Sequence, residues 1–147
     1  MKKLTLAVLA SLVALPAMAE IVKVPATGSV ADTMDALEAA VGNAGATVFA
    51  RVDHAGGAAS VDLELGASQL LVFGNPKLGT PAMQDAPLAG LMLPLRVLVY
   101  EDGDGAVWLA YEAPADMLGE LGIAGDAPYV AKMTGALGKL TAAAAGG

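Results

Sequence analysis

The chain has 147 residues and no cysteine, and 15 acidic against 8 basic side chains give it a formal net charge of −7. This balance argues against a nucleic-acid-binding protein, because phosphate recognition needs a basic patch. The lack of cysteine excludes thiol catalysis, thiolate metal sites and covalent haem attachment. We therefore expect no cofactor, and the length fits one domain.

The first nineteen residues have the pattern of a secretory signal peptide. Two lysines precede an uncharged apolar run, Leu4–Leu15, and the small residues of Ala17–Ala19 mark a cleavage site before Glu20. The run is too short to span a bilayer as a helix. Cleavage would leave residues 20–147 as a single domain with a net charge of −9. We expect a periplasmic protein, with secretion as the second choice, and no membrane contact after cleavage.

The first elements of this domain are an edge strand, a helix and a second strand. The strand is expected within residues 20–27. Ser29 is a candidate N-cap because Asp32 follows three residues later. Apolar residues then recur at helical spacing and would bury one helix face, with Asp35 and Glu38 near the other; the apolar set is Val30, Met34, Leu37 and Val41. Strict alternation over Thr47–Asp53 predicts the second strand.

The middle of the chain is expected to hold a short helix, a buried strand and another helix. The alanine content favours a short helix over residues 55–62. The continuous apolar run in Gln69–Phe73 predicts a buried strand, and Gly74–Pro76 should form a turn after it. Thr80 followed by Pro81 is typical of an N-cap and a first helical residue.

The clearest local feature is a β-hairpin near the C-terminal third. Two apolar runs, Leu95–Glu101 and Ala106–Tyr111, are joined by the turn residues Asp102–Gly105. The turn lacks the further oxygen ligands that a calcium loop needs, so we expect no metal site there. Helices should follow over Pro114–Leu121 and around Val130–Leu140. This order predicts an α+β domain of two layers, with a mainly antiparallel sheet and helices on one face.

Five separated blocks of the chain form a recognisable pattern, namely Thr47–Ala55, Leu70–Lys77, Gly79–Pro81, Leu93–Leu95 and Val107–Tyr111. Together and in this order, they resemble the domain of unknown function 302 family. They span about residues 28–123, which would be the core of the domain. The resemblance implies a fold of the TATA-binding-protein-like group and a dimer as one common assembly, and it implies no particular reaction.

The candidate ligand-binding residues lie near the ends of two predicted strands. His54 is the sole histidine and follows Asp53, so it could cap the strand end, bind a ligand or act as an acid or base. If the two strands are parallel, their polar ends converge; if they are antiparallel, the ends fall apart. The full candidate set is Arg51, Asp53, His54, Glu64, Asn75 and Lys77.

Large aromatic side chains on the predicted sheet point to a second kind of site. Trp108 and Tyr100 are expected on the sheet face that helices do not cover, with Leu98 on the same side as Tyr100. An exposed apolar face suits dimerisation or an apolar ligand. We therefore expect an exported, non-catalytic domain that binds a small ligand or forms a homodimer. The alternative is a small enzyme that uses His54 as acid or base with Asp53, Glu64 and Arg51.

Overall fold

The structure is a computed structural model that describes residues 19–146. The residues on which the signal-peptide prediction depends lie almost entirely outside this range. Five strands and six helices follow one another in the described part, in the order β1 (Ile21–Ala26), α1 (Val30–Asn43), β2 (Thr47–Asp53), α2 (His54–Ala59), β3 (Ser68–Gly74), α3 (Pro76–Asp85), α4 (Ala89–Met92), β4 (Leu95–Glu101), β5 (Val107–Glu112), α5 (Pro114–Gly119) and α6 (Pro128–Ala145).

The strands form one sheet in the order β1-β5-β4-β3-β2, and each neighbouring pair is antiparallel. Directly opposed residues of an antiparallel pair share a face. Leu71, Val97 and Leu109 thus face one way, and all three are fully buried beneath the helices. Helices α1 and α6 pack on each other and on this face. The predicted α+β class, with an antiparallel sheet and helices on one face, is confirmed.

Helix α1 supplies much of the core, as its apolar spacing predicts. Ser29 is the N-cap, and its Oγ accepts a hydrogen bond of 3.1 Å from the backbone N–H of Asp32. Capping of this kind stabilises a helix by about 1 kcal/mol. The buried face matches the predicted set and adds Thr33; the apolar members are Val30, Met34, Leu37 and Val41.

Strand β2 departs from the predicted alternation because it contains a β-bulge. Val48 lies opposite Phe73, whereas Ala50 lies opposite Val72, so one extra residue, Phe49, is inserted between them. Because of the extra residue, residues two apart across a bulge point to opposite faces of the sheet. Val48 therefore packs against the core, whereas Ala50 lies on the uncovered face. Strict alternation over Thr47–Asp53 predicts that Val48, Ala50 and Val52 share one face, and for Val48 this is wrong.

Helix α3 begins five residues earlier than the sequence predicts. Asn75 is its N-cap, and the Asn75 Oδ1 accepts a hydrogen bond of 2.9 Å from the N–H of Lys77, with Pro76 at the first helical position. Asn followed by Pro is the same start signal that we assigned to Thr80 and Pro81. Pro81 instead lies inside the helix. Between two equivalent signals, the one directly after β3 begins the helix.

The β4–β5 hairpin is confirmed, and the side chain of Asp102 organises its turn. One carboxylate oxygen accepts hydrogen bonds of 3.0 Å from the N–H groups of Asp104 and Ala106. The other accepts a bond of 2.8 Å from the indole Nε1–H of Trp108. The Trp108 bond is the main reason why the pKa of Asp102 is lowered from its ordinary value.

Replacing Asp102 should change how stability depends on pH. Because the pKa of Asp102 is lowered in the folded state, its charged form stabilises the fold above the unfolded pKa, near 3.8, and this contribution disappears as the pH falls through the folded pKa. We expect Asp102→Asn to be less stable than the wild type at about pH 6.5 and to approach it at about pH 2.5, as measured by urea unfolding. The control is Asp104→Asn, whose side chain makes no hydrogen bond within the described residues. An equal deficit for Asp102→Asn at both pH values would contradict this role.

The start of α3 can be tested by removing either candidate cap. Asn75→Ala should lower the free energy of unfolding by about 1 kcal/mol, because it leaves the N–H of Lys77 without its acceptor. Thr80→Ala should cost less than about 0.5 kcal/mol, because Thr80 lies within the helix. Urea unfolding of both variants measures the difference. A larger loss for Thr80→Ala than for Asn75→Ala would contradict this account, because Thr80 would then be the N-cap of the helix.

Candidate functional site

The antiparallel pairing of β2 and β3 separates the candidate ligand-binding residues into two groups. Asp53 lies opposite Gln69, and Thr47 lies opposite Gly74. His54 and Asn75 therefore follow opposite ends of the strand pair, about 20 Å apart at roughly 3.3 Å per residue. Of the two arrangements that the sequence left open, the structure has the one in which the strand ends diverge. The six candidates do not form one site.

Arg51 connects the sheet to helix α1. It lies opposite Leu71 on the helix-covered side, and its Nη1 is 2.6 Å from the Asp35 carboxylate and 3.1 Å from that of Glu38. Its Nε donates a hydrogen bond of 2.8 Å to Gln69. The bond to Asp35 is the largest cause of the raised pKa of Arg51. The guanidinium thus already has two carboxylate partners, which leaves it poorly placed to hold an anionic ligand.

Asp53, His54 and Glu64 lie at the same end of the sheet, around helix α2. The Asp53 Oδ1 accepts a hydrogen bond of 2.9 Å from the N–H of Gly56 and caps this helix. His54 is the first helical residue and is exposed. Glu64 lines a shallow concavity with Ala55 and Ala59. Asp53 therefore orients the backbone of α2, and a ligand role for these three residues stays a prediction.

Asn75 and Lys77 lie at the opposite end, where β3 leads into α3. The Oδ1 of Asn75 is occupied by the N–H of Lys77, and the Lys77 side chain is exposed. Asn75 is thus first of all a helix cap, as the sequence favours for an Asn at a turn. Sequence patterns alone could not place it beside Phe49, Met83 and Leu93, which surround it in the folded chain.

The uncovered side of the sheet, here called the open sheet face, has an apolar centre. Its central row runs across four strands through Val52, Leu70, Leu98 and Ala110, which lie opposite one another in register. Leu70, Leu98 and Ala110 are half-buried and Val52 is 40% exposed, although no helix covers them. The predicted placement of Tyr100 and Leu98 on one side follows from the same register.

Charged side chains on the open sheet face are paired with neighbours on that face. Arg96 Nη2 is 2.8 Å from Glu112 Oε2. The Lys23 Nζ lies 4.5 Å from the ring centre of Trp108 and 5.4 Å from that of Tyr100, which are cation–π distances. A concavity of about 370 Å³ lies beside Arg96 and Glu112, over Leu70, Leu98 and Ala110. The face therefore combines an apolar floor with charges that already have partners.

The described residues offer little for metal or acid–base chemistry. No group of three or more His, Asp or Glu side chains within residues 19–146 is arranged to hold a metal ion. His54 makes no hydrogen bond to a side chain in this range.

Curated relatives from Brucella correct the expected location of the protein. The chain is 42% identical over 128 residues to proteins of Brucella suis biovar 1 (strain 1330) and Brucella abortus biovar 1 (strain 9-941), each named "Fluoride-specific ion channel FluC 1". The match covers 86% of this chain and 50% and 47% of those proteins, so the chain spans about half the length of the curated relatives it matches. Ion channels are membrane proteins, and this finding contradicts the predicted periplasmic location and secretion as its second choice.

None of the helices described between residues 19 and 146 combines the length and the apolar character needed to cross a bilayer.

The fold and the family are established by two further comparisons. The crystal structure of an uncharacterized conserved DUF302 protein from Bacillus stearothermophilus matches with a TM-score of 0.68, covering 85% of this chain and 94% of that chain. At 18% identity this likeness shows the fold alone. The family described as "Domain of unknown function DUF302" matches residues 22–143, as the sequence blocks predict. The chain therefore belongs to the DUF302 family.

Proposed function

We propose that this chain is a non-catalytic interaction domain that forms a homodimer through the open sheet face. The observation that carries the proposal is the apolar row at the centre of that face, formed by Val52, Leu70, Leu98 and Ala110. A sheet with helices on one side leaves the other side in water unless another layer covers it. A second copy provides such a layer with the same apolar surface.

The charges beside the apolar row suit a two-fold contact. In an isologous interface the same patch meets itself, so residue i of one copy contacts residue j of the other and the reverse. Arg96 and Glu112 have opposite charges and adjoin each other on the face. With the two-fold axis near this pair, Glu112 of each copy would face Arg96 of the other, and opposite charges across an interface favour correct docking.

The size of the face predicts a reversible dimer. Five strands at a spacing of about 4.8 Å, each with about six residues at roughly 3.3 Å, give a flat area near 480 Å² per copy. Specific interfaces bury about 800 Å² per partner, and weaker, transient ones bury less. We therefore expect an equilibrium between monomer and dimer rather than an obligate dimer.

The relatives of the chain suggest where such a dimer would act. The family resemblance implies a dimer as one common assembly, and the Brucella relatives bear the name of a membrane ion channel. A domain like this one accounts for about half of each relative. Pairing of two such domains would bring the two remaining halves of those proteins together, which suits a role in assembly beside a membrane protein.

The enzyme alternative has weaker geometric support. It needs His54 to work with Asp53, Glu64 and Arg51. The Asp53 carboxylate is bound to the N–H of Gly56, and the Arg51 guanidinium is bound to carboxylates on α1. A general acid or base needs a partner within hydrogen-bond reach that orients it, and these contacts leave His54 without one in the described residues.

A charge in the middle of the apolar row should break the dimer. We expect Leu98→Asp to weaken dimerisation at least tenfold, about 1.4 kcal/mol, because the contact would bury an unpaired carboxylate. Sedimentation equilibrium over a range of concentrations measures the association, and circular dichroism checks the fold. The matched control is Leu63→Asp, at an exposed leucine outside the sheet.

The control variant should associate like the wild type. A wild type that stays monomeric at about 100 μM would overturn the proposal, because specific weak interfaces still associate at such concentrations. A Leu98→Asp variant that is folded and dimerises normally would place the contact on another surface.

A further inference from the structure

A crevice of about 190 Å³ lies at the end of the sheet where β3 passes into α3, and we name it the motif crevice. Phe49 from the β2 bulge, Asn75 at the helix cap, Thr80 and Met83 from α3, and Leu93 before β4 line it. None of the described residues that line it carries a charge. It adjoins one end of the open sheet face, because Gly74 continues the Leu70–Val72 side of β3, and it lies outside the central apolar row.

Four separate segments of the chain meet at this crevice. They are the same segments that carry the family resemblance, namely Thr47–Ala55, Leu70–Lys77, Gly79–Pro81 and Leu93–Leu95. Each reaches the crevice through a local feature: the bulge, the helix cap, the helix itself and the lead into β4. Together, these local features form one concave surface.

Two glycines keep the motif crevice open. A Cβ on Gly74 would lie 3.4 Å from the Pro94 Cβ and 3.5 Å from the Phe49 Cε2. A Cβ on Gly79 would lie 3.7 Å from the Leu93 Cδ1 and 3.9 Å from the Met83 Cε. Side chains at these positions would make contact with the crevice walls and occupy the space between them. Because glycine is present at both positions, that space is left to a ligand.

The chemistry of the walls defines the ligand class. Phe49 and Met83 form an exposed apolar rim, 58% and 39% accessible, that an apolar ligand would remove from water. The Asn75 Oδ1 is bound to Lys77, whereas its amide NH₂ has no hydrogen-bond partner within the described residues. The Thr80 hydroxyl has none there either. Apolar walls with a few polar groups are typical of small-molecule sites, and the polar groups orient the ligand.

We propose that the motif crevice binds a small uncharged molecule that has one aromatic ring and a single polar group, with the size and polarity of a phenol. A dry apolar cavity of about 150 Å³ is large enough for benzene. The motif crevice is slightly larger, which leaves room for one polar substituent near Asn75 and Thr80. The uncharged lining disfavours ionic ligands, because a charge would lose its hydration there without gaining a partner.

The test is a titration of the full chain with 4-fluorophenol, followed by ¹⁹F NMR. We expect a saturable change in the ¹⁹F signal of the ligand. In ¹H–¹³C spectra of the same samples, we expect chemical-shift changes at the Met83 methyl but not at the buried Met117 methyl. Gly79→Leu should fill the crevice and weaken binding at least tenfold. Gly135→Leu is the matched control, because it adds the same side chain to a helix at a position with open space around it.

Gly79→Ala covers the case in which Gly79→Leu fails to fold. Its methyl group makes only ordinary contacts, and we expect a smaller, measurable loss of 4-fluorophenol binding. Lack of saturable binding to the wild type overturns the proposal. So does binding that Gly79→Leu and Gly135→Leu retain equally, because the probe would then bind elsewhere on the chain.

Discussion

The helices of this protein cover one face of its sheet, and most of its surface chemistry follows from that one-sided burial. Leu71, Val97 and Leu109 are sealed beneath α1 and α6, so the core is complete without any contribution from the other face. The alternate residues Leu70, Leu98 and Ala110 cannot reach this core, because successive side chains of a strand point to opposite faces. An apolar row is thus held in place by the fold and left without an inner partner.

The antiparallel order of the strands also determines where polar groups can meet. It separates the polar residues that follow β2 from those that follow β3, and directs them to opposite ends of the sheet. At one end Asp53 caps a short helix; at the other Asn75 caps a longer one. Both side chains are used to begin helices, so the ends of the sheet are built for structure first. The concave apolar space beside Asn75 results from that construction.

The fold class and most element positions were predictable because they depend on local patterns. The spacing of Val30, Met34 and Leu37 and the turn residues of the hairpin act over a few residues, and both predictions hold. The start of α3 was not predicted, because Asn75-Pro76 and Thr80-Pro81 carry equivalent capping signals and only the end of β3 decides between them.

The arrangement of the candidate site residues could not be predicted, because it depends on contacts between residues that are distant in sequence. Periodicity assigned Asp35 and Glu38 to a solvent-facing side, and nothing local pairs them with Arg51 across the edge of the sheet. The bulge at Phe49, which directs that ring toward Gly74 and Pro94, has no sequence signal of its own. By contrast, the shared side of Leu98 and Tyr100 was predictable, since it follows from the two-residue period of a strand.

The central claim is that two copies of the chain meet through the open sheet face. Because the chain has no cysteine, a single Ala110→Cys substitution places one thiol in the apolar row, directly opposite Leu98. Packed sheets lie about 10 Å apart, within reach of a short bis-maleimide cross-linker. The account predicts rapid formation of a covalent dimer from Ala110→Cys and little from Leu63→Cys, which lies in an exposed loop. Equal cross-linking of the two variants, or none from Ala110→Cys, would contradict it.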